Sequence, residues 1–257
     1  MNFCVLGSGS RGNAILVESG STSLLLDAGF SGKEIRRRLA LLNRSAEELD
    51  AILISHEHGD HISGAGVLSR QLRLPVYANS GTHQAAAARL GRLHQRAEFE
   101  TGTDFVINSL TVHPFQVCHD TADPVGFVIS DGSKALCCCT DTGRITGLLR
   151  QHARRCQALI LEANYDPQLL ADGPYPPYIQ QRVRSGQGHL ANGDAARFLA
   201  ELARDSSVRQ AVLVHLSRVS NRPALVRERI QQELPPAPSA FSFAIAGQDQ
   251  PTRLFTL

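Results

Sequence analysis

The 257-residue chain is 42% hydrophobic, 19% charged and 5% aromatic, which suits one large domain and excludes disorder as the dominant state. Its 26 basic and 24 acidic residues leave a formal charge of +2, a total that is only permissive for a nucleic-acid partner; the basic set, all Arg apart from Lys33 and Lys134, favours forked donors suited to phosphate. No apolar run reaches the ~18 residues of a membrane helix, and MNFCVLGSGSRGNA opens without a basic leader, so a single domain over 1–257, off the membrane and in the cytoplasm, is expected.

In chain order, short strands are predicted over 3–7, 14–18 and 23–27, with glycine-rich turns between them. A helix follows over 32–42, a buried strand over 51–55 and a helix-like segment from about 62 to 72. Next come a strand over 75–78 and an alanine-rich helix after Ser80. Residues 98–139 read as strands joined by turns, over 104–107, 110–118, 125–130 and 134–139. The remainder alternates: helix 143–154, strand 158–162, helices near 176–184 and 193–204, strand 211–215, helix 223–234, then strands near 241–246 and 253–256. Strand-rich blocks with helices after each half point to two sheets packed face to face, with helices outside. The six cysteines match no disulfide or zinc-ribbon spacing. Cys137, Cys138 and Cys139 are consecutive, so a strand would point them to alternate faces, and they read as buried, reduced thiols.

Five apolar stretches deliver an ionisable residue at their C-terminal ends. LLLD ends at Asp27, AILIS runs into His56, CCCTD ends at Asp141, ALILE at Glu162 and AVLVH at His215. Ligands of α/β folds gather outside the carboxyl ends of strands, so five such endings indicate one shared site.

The densest chemistry is His56-Glu57-His58-Gly59-Asp60-His61. Three imidazoles and a carboxylate directly after a buried strand cannot enter an apolar core without partners. A short turn can aim His56 and His58 at one cation and Asp60 and His61 at a second. Imidazole and carboxylate suit zinc, iron or manganese. A structural zinc site fits less well, because such sites are closed and thiolate-rich.

These residues resemble the H-x-H-x-D-H signature of the metallo-β-lactamase-fold hydrolases, and the resemblance spans nearly the whole chain. It implies an α/β (α+β) fold, a four-layer αββα sandwich, with a dinuclear metal centre. It implies that His56, His58, His119 and Asp141 hold one divalent ion and that Asp60, His61, Asp141 and His215 hold the other, with zinc first and manganese or iron as alternatives. Within that family, GSGSRGN, E162-A-N-Y-D166, GHLAN at His189 and HLSRVSN at His215 look like the YycJ/VicX-type branch, which is related to the tRNA 3′-processing endonucleases. Phosphodiester hydrolysis in DNA or RNA, with 5′-to-3′ exonuclease activity, is what that likeness implies. The chain departs from the branch at Ala191, where Ser is usual, at Tyr165, where His often stands, and at Ser220, where Asn often stands. Asp at position 141 differs from the Cys common in β-lactamases of this fold.

The expected mechanism is attack by a hydroxide shared between two divalent ions, with Asp60 orienting the nucleophile and His189 protonating the departing oxygen. Asp27 is expected behind the histidine cluster as an orienting carboxylate, and Glu162 near His189 in a similar part. Ser8, Ser10 and Asn13 of the glycine-rich loop are expected as donors to substrate, although a plain hairpin connection explains that loop as well. Arg182, Arg184 and Arg218 are the arginines expected beside the metal edge. Arg36, Arg37 and Arg38 read as a solvated helix face, Cys118 as a strand-end core thiol, and His83, His94, His113 and His152 as ordinary surface or satisfied histidines. Two other functions use the same residues: hydrolysis of a small thioester, lactone or cyclic phosphodiester, and a non-catalytic metal-binding scaffold in a repair or regulatory assembly.

Overall fold

The computed structural model describes residues 1–234 and 241–257. Strands β1 (Asn2–Gly7), β2 (Ala14–Ser19) and β3 (Thr22–Leu26) form an antiparallel meander. Helix α1 (Gly32–Ala40), β4 (Ala51–Leu53), α2 (Gly59–Ile62), α3 (Ala65–Leu72), β5 (Pro75–Ala78), α4 (Ser80–Leu90) and β6 (Gln95–Glu98) follow. From β3 to β6 the pairing is parallel, because each return now runs through a longer, mostly helical crossover. The second sheet repeats that plan. Its antiparallel part is β7 (Phe105–Ile107), β8 (Leu110–Gln116), β9 (Val125–Ser130) and β10 (Ala135–Cys139). Then come α5 (Gly147–Arg154), β11 (Ala158–Glu162), α6 (Pro167–Ala171), α7 (Pro177–Arg184), α8 (Asn192–Arg204), β12 (Gln210–Val214), α9 (Pro223–Glu233) and β13 (Ser242–Ile245), with β10 to β13 parallel. The last strand, β14 (Phe255–Thr256), returns to the edge of the first sheet beside β1.

Period-two alternation sorts the side chains into layers. Phe3, Val5, Ile15, Val17, Leu24 and Leu26 face the second sheet, where they meet Val112, Phe127, Ile129 and Ile160. The alternate residues Cys4, Leu6, Leu16 and Leu25 turn outward onto α1, α3 and α4. Cys137 and Cys139 likewise face the outer helices α5, α8 and α9, while Cys138 faces the inner core. The four-layer αββα arrangement follows from this sorting. All six cysteines are free.

Most predicted elements appear within a few residues of their predicted bounds. The exceptions have local causes. Strand β6 carries the sequence Gln-Arg-Ala-Glu and has no apolar alternation to mark it. The helix expected from about 62 to 72 starts at Ala65, because α2 ends at Ile62 and the chain turns at Gly64, which passes so close to the Phe30 carbonyl that a Cβ would lie 2.1 Å from it. Helix α5 begins four residues later than expected, because the Thr146 hydroxyl accepts from Leu149 N at 3.1 Å and caps it there. Arg38 is not on a solvated face: it is 4% exposed, donates to the Leu6 carbonyl at 2.7 Å and lies over the Phe30 ring. Arg37 and Arg36 pair with Glu34 and Glu47, so this triplet is committed to internal ion pairs.

Ala191 is the N-cap of α8, with extended backbone and no side-chain cap. A Ser at this place would accept from an N-terminal amide of the helix. Ala191→Ser is expected to stabilise the fold by about 1 kcal/mol, a rise of roughly 2–4 °C for a chain of this size, read by thermal melting. An unchanged or lower midpoint would show that the extra oxygen finds no donor.

Candidate metal centre

The loops that follow the strands bring the expected residues to one edge of the sandwich. His56, His58 and His119 form one group whose ligand atoms lie within 4.8 Å of each other, and Asp60, His61 and His215 form another. Asp141 belongs with both sides: its Oδ2 is 3.2 Å from His61 Nε2, and its Oδ1 is 3.8 Å from His119 Nε2 and 3.0 Å from His215 Nδ1. Two of the site residues, Asp27 and His215, have left-handed backbone with φ of 58° and 57°. That conformation is uncommon outside glycine and costs of order 1–3 kcal/mol. It is held by Asp27 N donating to the Leu53 carbonyl at 2.8 Å and by His215 N donating to Ser8 Oγ at 2.9 Å.

Three buried imidazoles are oriented in the same way. His61 Nδ1 donates to Asp27 Oδ2 at 2.7 Å. His119 Nδ1 donates to the Gly188 carbonyl at 3.0 Å. Ser55 Oγ donates to Asp27 and lies 3.0 Å from His56 Nδ1, so it accepts from that ring. In each case Nε2 is the nitrogen turned inward, the arrangement that fixes ligating histidines elsewhere; that of His119 meets His58 Nδ1 at 3.2 Å and that of His61 meets Asn13 Nδ2 at 2.9 Å. His56 Nε2 is buried with no hydrogen-bond partner, and so is Asp141 Oδ2; its contact with His61 lacks hydrogen-bond alignment. Native proteins rarely leave such atoms unpartnered. A metal ion is the partner this donor set suits, since neutral imidazole nitrogen and carboxylate oxygen are ligands for divalent cations.

Electrostatics agree. Burial pushes the His56 imidazole well below its ordinary pKa, reinforced by His61, and burial with His119 lowers His58, so both rings are neutral. Burial is the largest single influence at His61 and His215 too and opposes their charge, but the carboxylates together outweigh it: Asp141 with Asp27 at His61, and Asp141 with Asp60 and Glu162 at His215. The result is His61 well above its ordinary value and His215 at about 10. Asp60 is held at about 2, because His215 and His61 outweigh its burial. Four carboxylates, Asp27, Asp60, Asp141 and Glu162, therefore make a field that demands positive charge: protons on two rings, or metal ions in their place.

Glu162 is fully buried and already saturated. It accepts from Thr142 N at 2.9 Å, Leu190 N at 3.1 Å, His189 Nδ1 at 2.6 Å and His215 Nδ1 at 2.9 Å. Those four donors leave it little capacity to ligate, and they tie two histidines to one carboxylate oxygen. His189 lines a cavity of about 540 Å³ together with Ser10, His58, Asp60, Asp141, Asn164, Arg182 and His215.

The glycine-rich loop corrects one expectation. Ser8 and Asn13 are buried and so unavailable to a substrate. Asn13 Oδ1 accepts from Ser8 Oγ at 2.7 Å and Gly9 N at 2.9 Å, which aims Nδ2 at Asp60 Oδ2 and at His61 Nε2, 2.9 Å away. These two residues brace the metal-binding turn; Ser10 alone of the three lines the cavity. Among the arginines, Arg182 lines it, Arg218 pairs with Asp249, and Arg184 bonds Gln180. Asn164 was missed: its Nδ2 donates to the His215 carbonyl at 2.8 Å, and only its place in the EANYD segment hinted at this. Arg89 was missed too. It lies against Gly59, with Nη1 1.9 Å from where a Cβ would stand. Tyr165 and Ala191 sit together in a small apolar cluster, and Cys118 accepts from Arg144 Nε at 3.1 Å.

Comparison with known proteins places this architecture. Residues 22–216 match the beta-lactamase superfamily domain. The chain is 35% identical to the exodeoxyribonuclease YycJ of Bacillus anthracis, covering 91% of this chain and 89% of that one. It is also 35% identical to the exodeoxyribonuclease WalJ of Streptococcus pneumoniae, covering 90% and 87%. The crystal structure of the metallo-beta-lactamase fold protein YhfI from Bacillus subtilis superposes with a TM-score of 0.72 at 21% identity, over 98% of both chains. The chain belongs to the beta-lactamase superfamily. With a donor set that calls for divalent metal, that membership makes it a metal-dependent hydrolase.

Proposed function

We propose that this chain hydrolyses phosphodiesters in DNA, as a 5′-to-3′ exonuclease acting in the cytoplasm from a single catalytic domain. The observation that carries the reading is an imidazole that lines the cavity together with the metal-binding cluster. His189 is bonded through Nδ1 to buried Glu162, so Nε2 is the nitrogen available to substrate. Two exodeoxyribonuclease relatives at 35% identity support DNA as the polymer.

His56, His58, His119 and Asp141 would hold one ion, and Asp60, His61, Asp141 and His215 the other, with zinc the first candidate. Bound there, divalent ions supply Lewis acidity at the phosphate and a source of hydroxide at neutral pH. Asp60, which lines the cavity, orients the attacking water and takes its proton. Glu162 fixes the tautomer of His189, and His189 gives its proton to the departing sugar oxygen. Asp27 and Asn13 keep the His61 ring and the Asp60 carboxylate in place.

Metal content measured by mass spectrometry, beside activity on 5′- and 3′-blocked DNA, S-lactoylglutathione and nitrocefin, tests the reading. Degradation confined to DNA with an open 5′ end is expected; turnover of the thioester or lactam alone would overturn it.

Binding to DNA should also weaken with salt despite the formal charge of +2. Each phosphate gripped by an arginine such as Arg182 contributes roughly 0.7–0.9 to the slope of log affinity against log salt. A titration that stays flat from low to physiological salt would favour a small-molecule substrate.

A further inference from the structure

Helix α7 has no buried residue, yet an apolar row runs along it and the turn before it at Tyr175, Ile179 and Val183. The four-residue spacing puts Ile179 and Val183 on one face of the helix, and Tyr175 joins them from the turn before it. Such a row ordinarily faces a core. Here it lines the same cavity as Arg182, His58, Asp60, Asp141, His189 and His215. Tyr175 and Val183 also lean on the cluster of Tyr165, Leu170 and Ala191, which anchors the row; Ile179 belongs to no buried cluster among the described residues. The helix is tied to the chemistry through backbone: His189 N donates to the Val183 carbonyl at 2.9 Å, and the Gly188 carbonyl holds His119.

We propose that the row Tyr175–Ile179–Val183, with Arg182, is the seat of the nucleotide beside the scissile phosphate, and that this nucleotide enters unpaired. The inference rests on the phosphodiesterase reading and adds the form of DNA end that the site accepts. A cavity lined both by an apolar row and by a cluster of imidazoles and carboxylates matches the two ends of a nucleotide: a flat, weakly polar base and an anionic phosphate. The cavity, about 540 Å³, is of the size that encloses a small ligand and so takes one nucleotide rather than a base pair. Arg182 pairs with Asp120 across the rim. Exposed pairs of this kind are weak, so the guanidinium can exchange that carboxylate for a phosphate, to which it offers forked donors. Contact through the face of the base carries no hydrogen-bond code, so the site should tolerate any base.

Anisotropy of fluorescein-labelled duplexes in EDTA measures the wall apart from catalysis. A duplex with one unpaired 5′-terminal nucleotide should bind about 10-fold tighter than its fully paired counterpart, within the range of one base–side-chain contact. Ile179→Glu should abolish that difference and raise the KM of metal-loaded protein for the unpaired end. Ile179→Ala should narrow it in the same direction and serves where the charged variant melts early. Tyr178→Ala, which alters a 70% exposed side chain away from the cavity lining, should preserve it. Equal affinity for both ends in the wild type, or unaltered discrimination in both folded Ile179 variants, overturns the proposal. Discrimination by a protein that leaves DNA and bis-p-nitrophenyl phosphate intact would overturn the phosphodiesterase reading and leave the wall standing. Hydrolysis of DNA without discrimination would do the reverse.

Discussion

Asp141→Asn is expected to lower metal content from two ions per chain towards one and to cut phosphodiester turnover by more than about 100-fold, beyond the usual cost of losing an outer-shell partner of a ligand. The carboxylate lies two residues past β10, and its two oxygens face different histidines: Oδ2 towards His61, Oδ1 towards His119 and His215. Among the described residues, only Asp141 and the ring of His61 belong to ligand groups on both the His56 and the His215 side. Asn preserves the volume but replaces one anionic oxygen with an amide that donates. The site beside His56 and His61 would then lack part of the negative charge that balances two dications. Metal content of the variant by mass spectrometry is the deciding readout, because it does not depend on the choice of substrate. Full activity with two ions retained would end the assignment of Asp141 to both positions.

The edge on which this chemistry sits could be read in the sequence because short strands end abruptly. Leu24–Leu26 are wholly buried, and the first polar residue after them, Asp27, has nowhere to go but the strand end. The same reasoning recovers His215 after Val214 and Glu162 at the end of β11. What could not be read depends on separation along the chain. Asn13 and His61 are 48 residues apart, and no local pattern says that an amide from a glycine-rich loop will meet that ring. The loop looked free to meet substrate because its residues are small and polar. Its actual confinement comes from Gly29, where a Cβ would lie 1.7 Å from the Asp60 carbonyl, so three loops close on one another. Arg89 shows the same limit: on α4 it looks like one more solvated arginine, and only the packing of α4 beside α2 brings it to Gly59. Helix α6, in contrast, is announced by Asp166-Pro167, an N-cap and a proline at the first helical position, but its five residues are too few to show an apolar period.

His189→Ala is expected to slow DNA hydrolysis by on the order of 10²–10⁴, the usual contribution of a general acid, with both metal ions retained. The case for an acid begins with geometry. His189 is the first residue after the loop that follows α7, its backbone N is bonded to the Val183 carbonyl, and its ring lines the cavity. Its Nδ1 is 2.6 Å from Glu162 Oε1, so the hydrogen there is engaged by a buried carboxylate and Nε2 is the atom left for substrate. Imidazole is the side chain whose ordinary titration lies nearest neutral pH, which suits it to hand a proton to an oxygen that leaves with negative charge. A ligand role is less consistent, because the inward positions are already served by six other residues besides Asp141 and a catalytic site must keep room for water and substrate. Glu162→Gln would be a poorer test, since the same oxygen also holds His215 and a change there would disturb the metal. The informative comparison is between leaving groups. A sugar oxygen needs protonation, whereas p-nitrophenolate departs without it, so the penalty in His189→Ala should be large on DNA and small on bis-p-nitrophenyl phosphate. If the two substrates lose rate equally, or if an ion is lost along with the imidazole, His189 acts by binding or ligation and the proton must come from elsewhere.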